Sequence, residues 1–257
     1  VPPGDRDGWG EDPFSGVIID GKLFGRGSSD MKSAIASFVS AAHRYILKFD
    51  EELPGSISLL ITGDEEGPAI NGTTKVLDWM SNNNEVIDAC IVGEPTNPDY
   101  LGQMIKIGRR GSFTGWLTVI GVQGHTAYPH LAENPLSKLV KMLEPLAEEQ
   151  LDQGTEYFPP TTAAISSIDT GNSASNVIPQ KVTASFNIRF NDSRTAEDIE
   201  KWLRAHFDSV GGNYTLETAC SSNAFITEPG ALSDDLVSAV KAVVGTHPEM
   251  STTGGTS

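Results

Sequence analysis

Three acidic residues, Asp64, Glu65 and Glu66, stand together directly after the apolar run SISLLIT at residues 56–62. Asp30 precedes a helix-forming stretch, and Glu94 follows a second apolar run, DACIVG, at residues 88–93. Asp30, Glu66 and Glu94 are therefore 36 and 28 residues apart, about one strand-plus-helix unit each time. In an open parallel sheet, ligands bind beyond the carboxyl ends of neighbouring strands, so this spacing predicts that the three acids gather at one sheet edge. Pro95 biases Glu94 toward an extended backbone that holds its side chain at a strand tip. Carboxylates within a few ångströms raise one another's pKa unless a proton or a cation balances them. A divalent metal is the economical counter-charge. Oxygen ligands alone suit magnesium or calcium, whereas zinc also takes His or Cys, and no His lies near the three acids in sequence. Each acid taken alone also has a plain structural reading: Asp30 suits a helix N-cap, and DEEG suits an exposed turn.

The elements that must position these acids are legible as patterns. VIIDGKLFG at residues 17–25 alternates around Asp20-Gly21, which predicts a tight hairpin. From Met31 to Phe49, apolar residues at Ala34, Ile35, Phe38, Val39, Ala42, Tyr45 and Ile46 follow helical spacing. The two apolar runs with helical sequence between them predict a strand, a crossover and a parallel strand. After Arg110 the runs lengthen and alternate, at 113–121, 161–169 and 181–190. Amphipathic helices at about 135–150 and 195–208 and a last strand near 213–219 complete a compact α+β insert with an antiparallel sheet. A helical pattern resumes at 234–244 before the Gly-rich end STTGGTS.

The 257 residues, 38% of them hydrophobic, suffice for one large domain or two smaller ones. The net charge of −16 argues against nucleic-acid and anionic-membrane partners, which need a concentrated basic face. No apolar run reaches membrane-spanning length and no signal-peptide pattern is visible. Two cysteines 130 residues apart, Cys90 and Cys220, build neither a disulfide framework nor a CxxC site, which suits a reducing cytoplasm. GRGSSDMKS lacks the GxxxxGK spacing of a phosphate loop.

Taken in order, VPPGD, WGEDPF, DGKLFGRGSSDMK, DEEGPAINGT, GEPT, GRRGS, GHTAYPHLAENP, SNVIP, FNIRF and TTGGTS resemble the di-zinc aminoacylase and carboxypeptidase family of metallohydrolases over essentially the whole chain. GRRGS, GHTAYPHLAENP and TTGGTS favour its desuccinylase branch. The resemblance implies an α/β catalytic domain with a mostly parallel sheet at residues 1–110 and 224–257, carrying an inserted α+β, ferredoxin-like dimerisation domain at 111–223. It implies two zinc ions, with cobalt or manganese as alternatives in the second site, a homodimer and a small anionic substrate. Asp30 would bridge the metals, with Glu94 on one and Glu66 on the other, and Glu65 would be the general base. His125 would donate to the oxyanion, in many family members across a dimer. Lys106, Arg109, Ser112, Tyr128, Asn176, Arg189, Gly255 and Thr256 would bind substrate, and Arg is suited to bidentate capture of carboxylates.

The activity so implied is hydrolysis of N-succinyl-LL-2,6-diaminopimelate to LL-2,6-diaminopimelate and succinate. A sister deacylase such as one acting on acetylornithine, and a non-catalytic homologue serving as a binding module, are the competing readings. The acids Asp30, Glu65, Glu66 and Glu94 argue against the latter, since a binding module needs no base beside metal ligands. In the resembling family one zinc-binding His sits just upstream of the position of Val1 and another after TTGGTS. By itself the 257-residue stretch is therefore expected to be weakly active.

Overall fold

The computed structural model describes residues 2–49, 53–67, 69–148 and 150–254. It divides into two compact units, one running to Thr96 and one from Asn97.

In the first unit, β1 (Ile18–Ile19) pairs antiparallel with β2 (Lys22–Leu23). The turn between them places Asp20 at φ +50° and Gly21 at φ +76°, the left-handed pair that a two-residue hairpin of this hand requires. A wide turn at Ser28–Lys32 then leads into α1 (Ser33–Phe49), and α2 (Thr73–Asn82) follows. The first helix starts two residues later than its apolar spacing suggests. Asp30 (φ −116°, ψ 101°) and Met31 (φ −131°, ψ 30°) leave the helical region, so the carboxylate of Asp30 stands before the helix instead of within it.

The two runs read as parallel strands, 56–62 and 88–93, make no strand ladder. Their side chains Ile57, Leu59, Ile61, Ile91 and Val92 are exposed in this chain. A parallel strand is held by ladder partners and by cover on both faces, and the described residues of this unit supply two helices and one short hairpin for that purpose. One of the runs is nevertheless anchored: a Cβ built on Gly93 would lie 2.6 Å from Ala34 Cβ and 2.8 Å from Phe38 Cε2, on the apolar face of α1. Only a glycine allows this approach, and it brings the backbone just before Glu94 to the start of the helix that follows Asp30.

In the second unit the order is β3 (Met104–Lys106), β4 (Gly108–Arg109), β5 (Gly111–Ile120), β6 (Gly124–His125), α3 (Pro135–Ala147), β7 (Thr162–Asp169), β8 (Val177–Ile178), β9 (Lys181–Phe190), α4 (Ala196–Val210), β10 (Asn213–Ser222), β11 (Phe225–Ile226), α5 (Ala231–Val244) and β12 (Glu249–Ser251). The strands β5, β7, β9 and β10 form one antiparallel sheet in the order β10-β5-β9-β7. With α3 after β5 and α4 after β9, this is the βαββαβ arrangement of a ferredoxin-like fold. Alternation sends Phe113, Leu117, Val119, Val182, Phe186, Ile188 and Phe190 to one face, where Leu139, Met142, Leu146, Ile199, Leu203 and Phe207 of the two helices close the core. Phe186 and Phe190 lie opposite Gly115 and Gly111, and each ring fills the space a side chain would take: a Cβ on Gly111 would come within 2.1 Å of the Phe190 ring.

Local caps agree with the tertiary plan. Asn134 Oδ1 accepts from Leu136 N at 3.0 Å with Pro135 in the first turn of α3. Thr195 and Asp198 form a reciprocal capping box on α4, at 3.2 and 3.0 Å. Outside this sheet, β4 pairs antiparallel with β11, and β3 pairs in parallel with β12, the parallel component expected of the catalytic domain.

Candidate active site

The acidic cluster is built on the wide turn before α1 and on the turn after residue 62. Asp64 organises that second turn: its carbonyl accepts from Gly67 N at 3.3 Å and Ala69 N at 3.1 Å, and its carboxylate accepts from Asn71 N at 3.2 Å. Glu65–Gly67 is therefore a turn, the plain reading that DEEG admits. Asp64 is spent on holding it, while Glu65 and Glu66 are left exposed. The carboxyl of Asp30 lies beside that of Glu66. The hydrogen bond and the negative charge of Asp30 push the Glu66 carboxyl above its ordinary value, with a further contribution from Glu65.

Two carboxyls held side by side are a donor set whose mutual repulsion a divalent cation can relieve, so Asp30 and Glu66 fit a metal. Among the described residues no group of three His, Cys, Asp or Glu side chains is gathered at metal-binding distance, and Glu94 does not complete a trio with them. In metal-free protein the raised pKa of Glu66 has a consequence for folding. A carboxyl whose pKa is raised in the folded state favours folding below its ordinary value near 4.5, and that contribution is lost as pH rises through the raised value. Glu66→Gln removes this titration, so its melting temperature is expected to fall less than that of the unsubstituted protein between about pH 4 and about pH 7. Thermal unfolding in the presence of a chelator measures it, and parallel curves contradict it.

His125 lies on β6, whose pairing with β8 brings Asn176, one residue before β8, alongside: Thr126 N donates to Asn176 O at 3.0 Å. Ala127 N donates to His125 Nδ1 at 3.1 Å. With Nδ1 occupied as an acceptor, the neutral ring carries its proton on Nε2, the form of a hydrogen-bond donor. Tyr128 N donates to His125 O at 2.9 Å and its ring centroid sits 5.9 Å from that of His125. His125, Tyr128 and Asn176 thus share one loop cluster.

The cations assemble through the strand register. Parallel pairing sets Lys106 opposite Ser251, and Lys106 Nζ donates to Ser251 Oγ at 3.1 Å and Thr253 Oγ1 at 2.8 Å. Burial, and then the charge of Arg109, lower the Lys106 pKa. A Cβ on Gly254 would lie 3.6 Å from Arg109 Nη1, so the backbone of this terminal loop runs beside that guanidinium. Gly255 and Thr256 lie outside the described residues. On the sheet, Ser112 of β5 is directly opposite Arg189 of β9. Arg110 is half-buried; its Nη1 donates to Thr162 Oγ1 at 3.2 Å and its Nε is buried without a hydrogen-bond partner among the described residues. Burial, and then Arg189, lower its pKa. Sequence reasoning also missed Asn187, whose signal is its place two residues before Arg189 on the same face of KVTASFNIRF. His206 and His247 hydrogen-bond the carbonyls of Lys141 and Pro248.

A profile of the peptidase dimerisation domain matches residues 107–215. The chain is 58% identical over 257 residues to the succinyl-diaminopimelate desuccinylase of Rhodospirillum centenum, covering 100% of this chain and 66% of that protein. It is 55% identical over 261 residues to the enzyme of the same name from Parvibaculum lavamentivorans, with coverages of 100% and 65%. For that of Rhodospirillum rubrum the identity is 51% over 268 residues, with coverages of 100% and 68%. The chain thus spans about two thirds of the length of the curated relatives it matches. Among solved structures, it is similar to an M20 family metallo-carboxypeptidase from Sulfolobus solfataricus, with a TM-score of 0.70 and 18% identity over 99% of this chain and 70% of that one. Human carnosine dipeptidase 1 gives 0.64 and 18%, with coverages of 99% and 66%. At such identities the likeness is one of fold, a catalytic domain with an inserted dimerisation domain. Among the described residues no helix is long and apolar enough to cross a membrane.

Proposed function

The chain belongs to the succinyl-diaminopimelate desuccinylase family of metal-dependent amidohydrolases, and on that footing we propose that a full-length protein carrying it hydrolyses N-succinyl-LL-2,6-diaminopimelate to LL-2,6-diaminopimelate and succinate. The observation that carries the proposal is the Asp30–Glu66 carboxyl pair, with the unengaged Glu65 next to it in the turn. Family membership implies a divalent metal cofactor. In this reading there are two zinc ions, with cobalt or manganese as alternatives in the second site, held by Asp30, Glu66 and Glu94. When bound, the metal supplies charge that lowers the pKa of water and polarises the amide carbonyl.

The chain's own residues do the rest. Glu65 takes a proton from the attacking water as its oxygen bonds to the succinyl carbonyl carbon, then delivers that proton to the leaving nitrogen as the C–N bond breaks. His125 donates from Nε2 to the oxygen that becomes negative. Lys106, Arg109 and Arg189, with Ser112, Tyr128, Asn176, Gly255 and Thr256, hold the substrate's carboxylates and fix its register. The domain division in this reading is 1–110 with 224–257 for the catalytic part and 111–223 for dimerisation, the functional unit is a homodimer, and its setting is the cytoplasm, where Cys90 and Cys220 stay as free thiols.

The test is turnover by the full-length protein. With divalent metal supplied, amine release from N-succinyl-LL-2,6-diaminopimelate is expected and is expected to stop on chelation. Release from N-acetylornithine alone would move the assignment to a sister deacylase, and release from neither would leave a non-catalytic reading.

A further inference from the structure

Resting on the desuccinylase reading, a network on the open face of the β10-β5-β9-β7 sheet goes beyond it. Asn187 projects from β9 on the face away from the helices, beside Arg189 in the alternation, and stands opposite Thr114 of β5 and Ala164 of β7. Its Nδ2 donates to Ser112 Oγ at 3.2 Å and to Thr114 Oγ1 at 3.0 Å. Both amide protons are therefore committed across the strand pair. A hydroxyl engaged in this way as an acceptor still has its own proton to give. Ser112, Thr114 and Arg189 are then three hydrogen-bond donors on adjoining positions of two strands. Asn187 and Arg189 also line a hollow of about 570 Å³ at the edge of β7, with Thr162 and the apolar Leu146, Ala147, Ala163, Ala164 and Ile165; Thr114 and the buried Ser112 stand behind Asn187, outside that lining.

We propose that Asn187 is a positioning residue for carboxylate recognition: it fixes Ser112 and Thr114 as donors, so that their hydroxyl protons and the Arg189 guanidinium meet the distal carboxylate of the succinyl group. Asn187 does not itself bind the anion. Its place could be taken by an acceptor of the same shape only by reversing the network, because an aspartate there accepts the two hydroxyl protons and adds a negative charge two residues from Arg189.

The experiment is a cycle of succinate affinities, measured by titration calorimetry on the full-length protein, with thermal unfolding of each variant alongside. Asn187→Asp is expected to weaken succinate at least about tenfold, the scale of a hydrogen bond to a charged group, and Asn187→Ala about threefold or more, the scale of a neutral one. In a Ser112→Ala, Thr114→Val background, Asn187→Ala is expected to cost less than twofold further, because residues acting through one another are not additive. Additive losses, or unchanged affinity in Asn187→Asp, overturn the proposal, as does collapse of the fold in both Asn187 variants. A wild-type protein that binds succinate and shows the cycle yet turns over no succinyl substrate refutes the desuccinylase reading alone. One that turns the substrate over but shows additive losses refutes the role of Asn187 alone, and one that neither binds nor turns over refutes both.

Discussion

Replacing Glu65 by Gln is expected to lower kcat by about 10²- to 10⁴-fold, the range attributed to a positioned general base and acid, while metal affinity is retained. The separation of the two effects follows from the turn. Asp64 supplies the hydrogen bonds that hold Gly67, Ala69 and Asn71 in the turn, and Glu66 is the acid beside Asp30. Glu65 serves neither task, so an amide of the same shape leaves the backbone and the donor set in place and removes only the group that can carry a proton. Rapid-quench turnover together with a metal competition titration reads both quantities. A kcat within a few-fold of the unsubstituted enzyme contradicts the assignment of the base, and a parallel collapse of metal affinity moves Glu65 into the ligand set.

Asp30→Ala is expected to have the other large effect, on the metal itself. Loss of a residue that merely orients a ligand costs about 10- to 100-fold in affinity, so loss of a bridging ligand must exceed that range. The backbone at Asp30 is extended, outside the helix, and its carboxyl lies beside that of Glu66. The substitution therefore strips the donor pair at a position outside the helix. Competition against a chromophoric chelator measures the loss, with Asp30→Asn separating charge from shape. Metal affinity preserved within threefold in Asp30→Ala would remove Asp30 from the site.

Much of the inserted domain was legible because its sheet is amphipathic: a strand with one face on a core and one face open must alternate, and KVTASFNIRF corresponds residue for residue to β9. The catalytic region was harder. Runs such as SISLLIT read as buried strands from their side chains, but a ladder is a property of neighbours and not of the run, and residues 56–62 make none. Spacing predicts Asp30, Glu66 and Glu94 together at one sheet edge; the structure sets Asp30 beside Glu66 without such a sheet, and the division of labour in DEEG is not legible in the sequence. Composition gives three adjacent acids, and only the hydrogen bonds of the turn show that Asp64 is structural. Asn187 was invisible for a related reason: a polar residue on an open sheet face is commonplace, and its two bonds depend on the register that sets it opposite Thr114.

The measurement that bears most directly on the whole account is the ratio of kcat/KM for N-succinyl-LL-2,6-diaminopimelate over N-acetylornithine, taken with the full-length, metal-supplied protein. A site whose cations and hydroxyls are built to bind a distal carboxylate discriminates strongly against an acyl group that lacks one, and a preference of at least about 100-fold for the succinyl substrate is expected. A ratio near one, or a preference for the acetyl substrate, contradicts it.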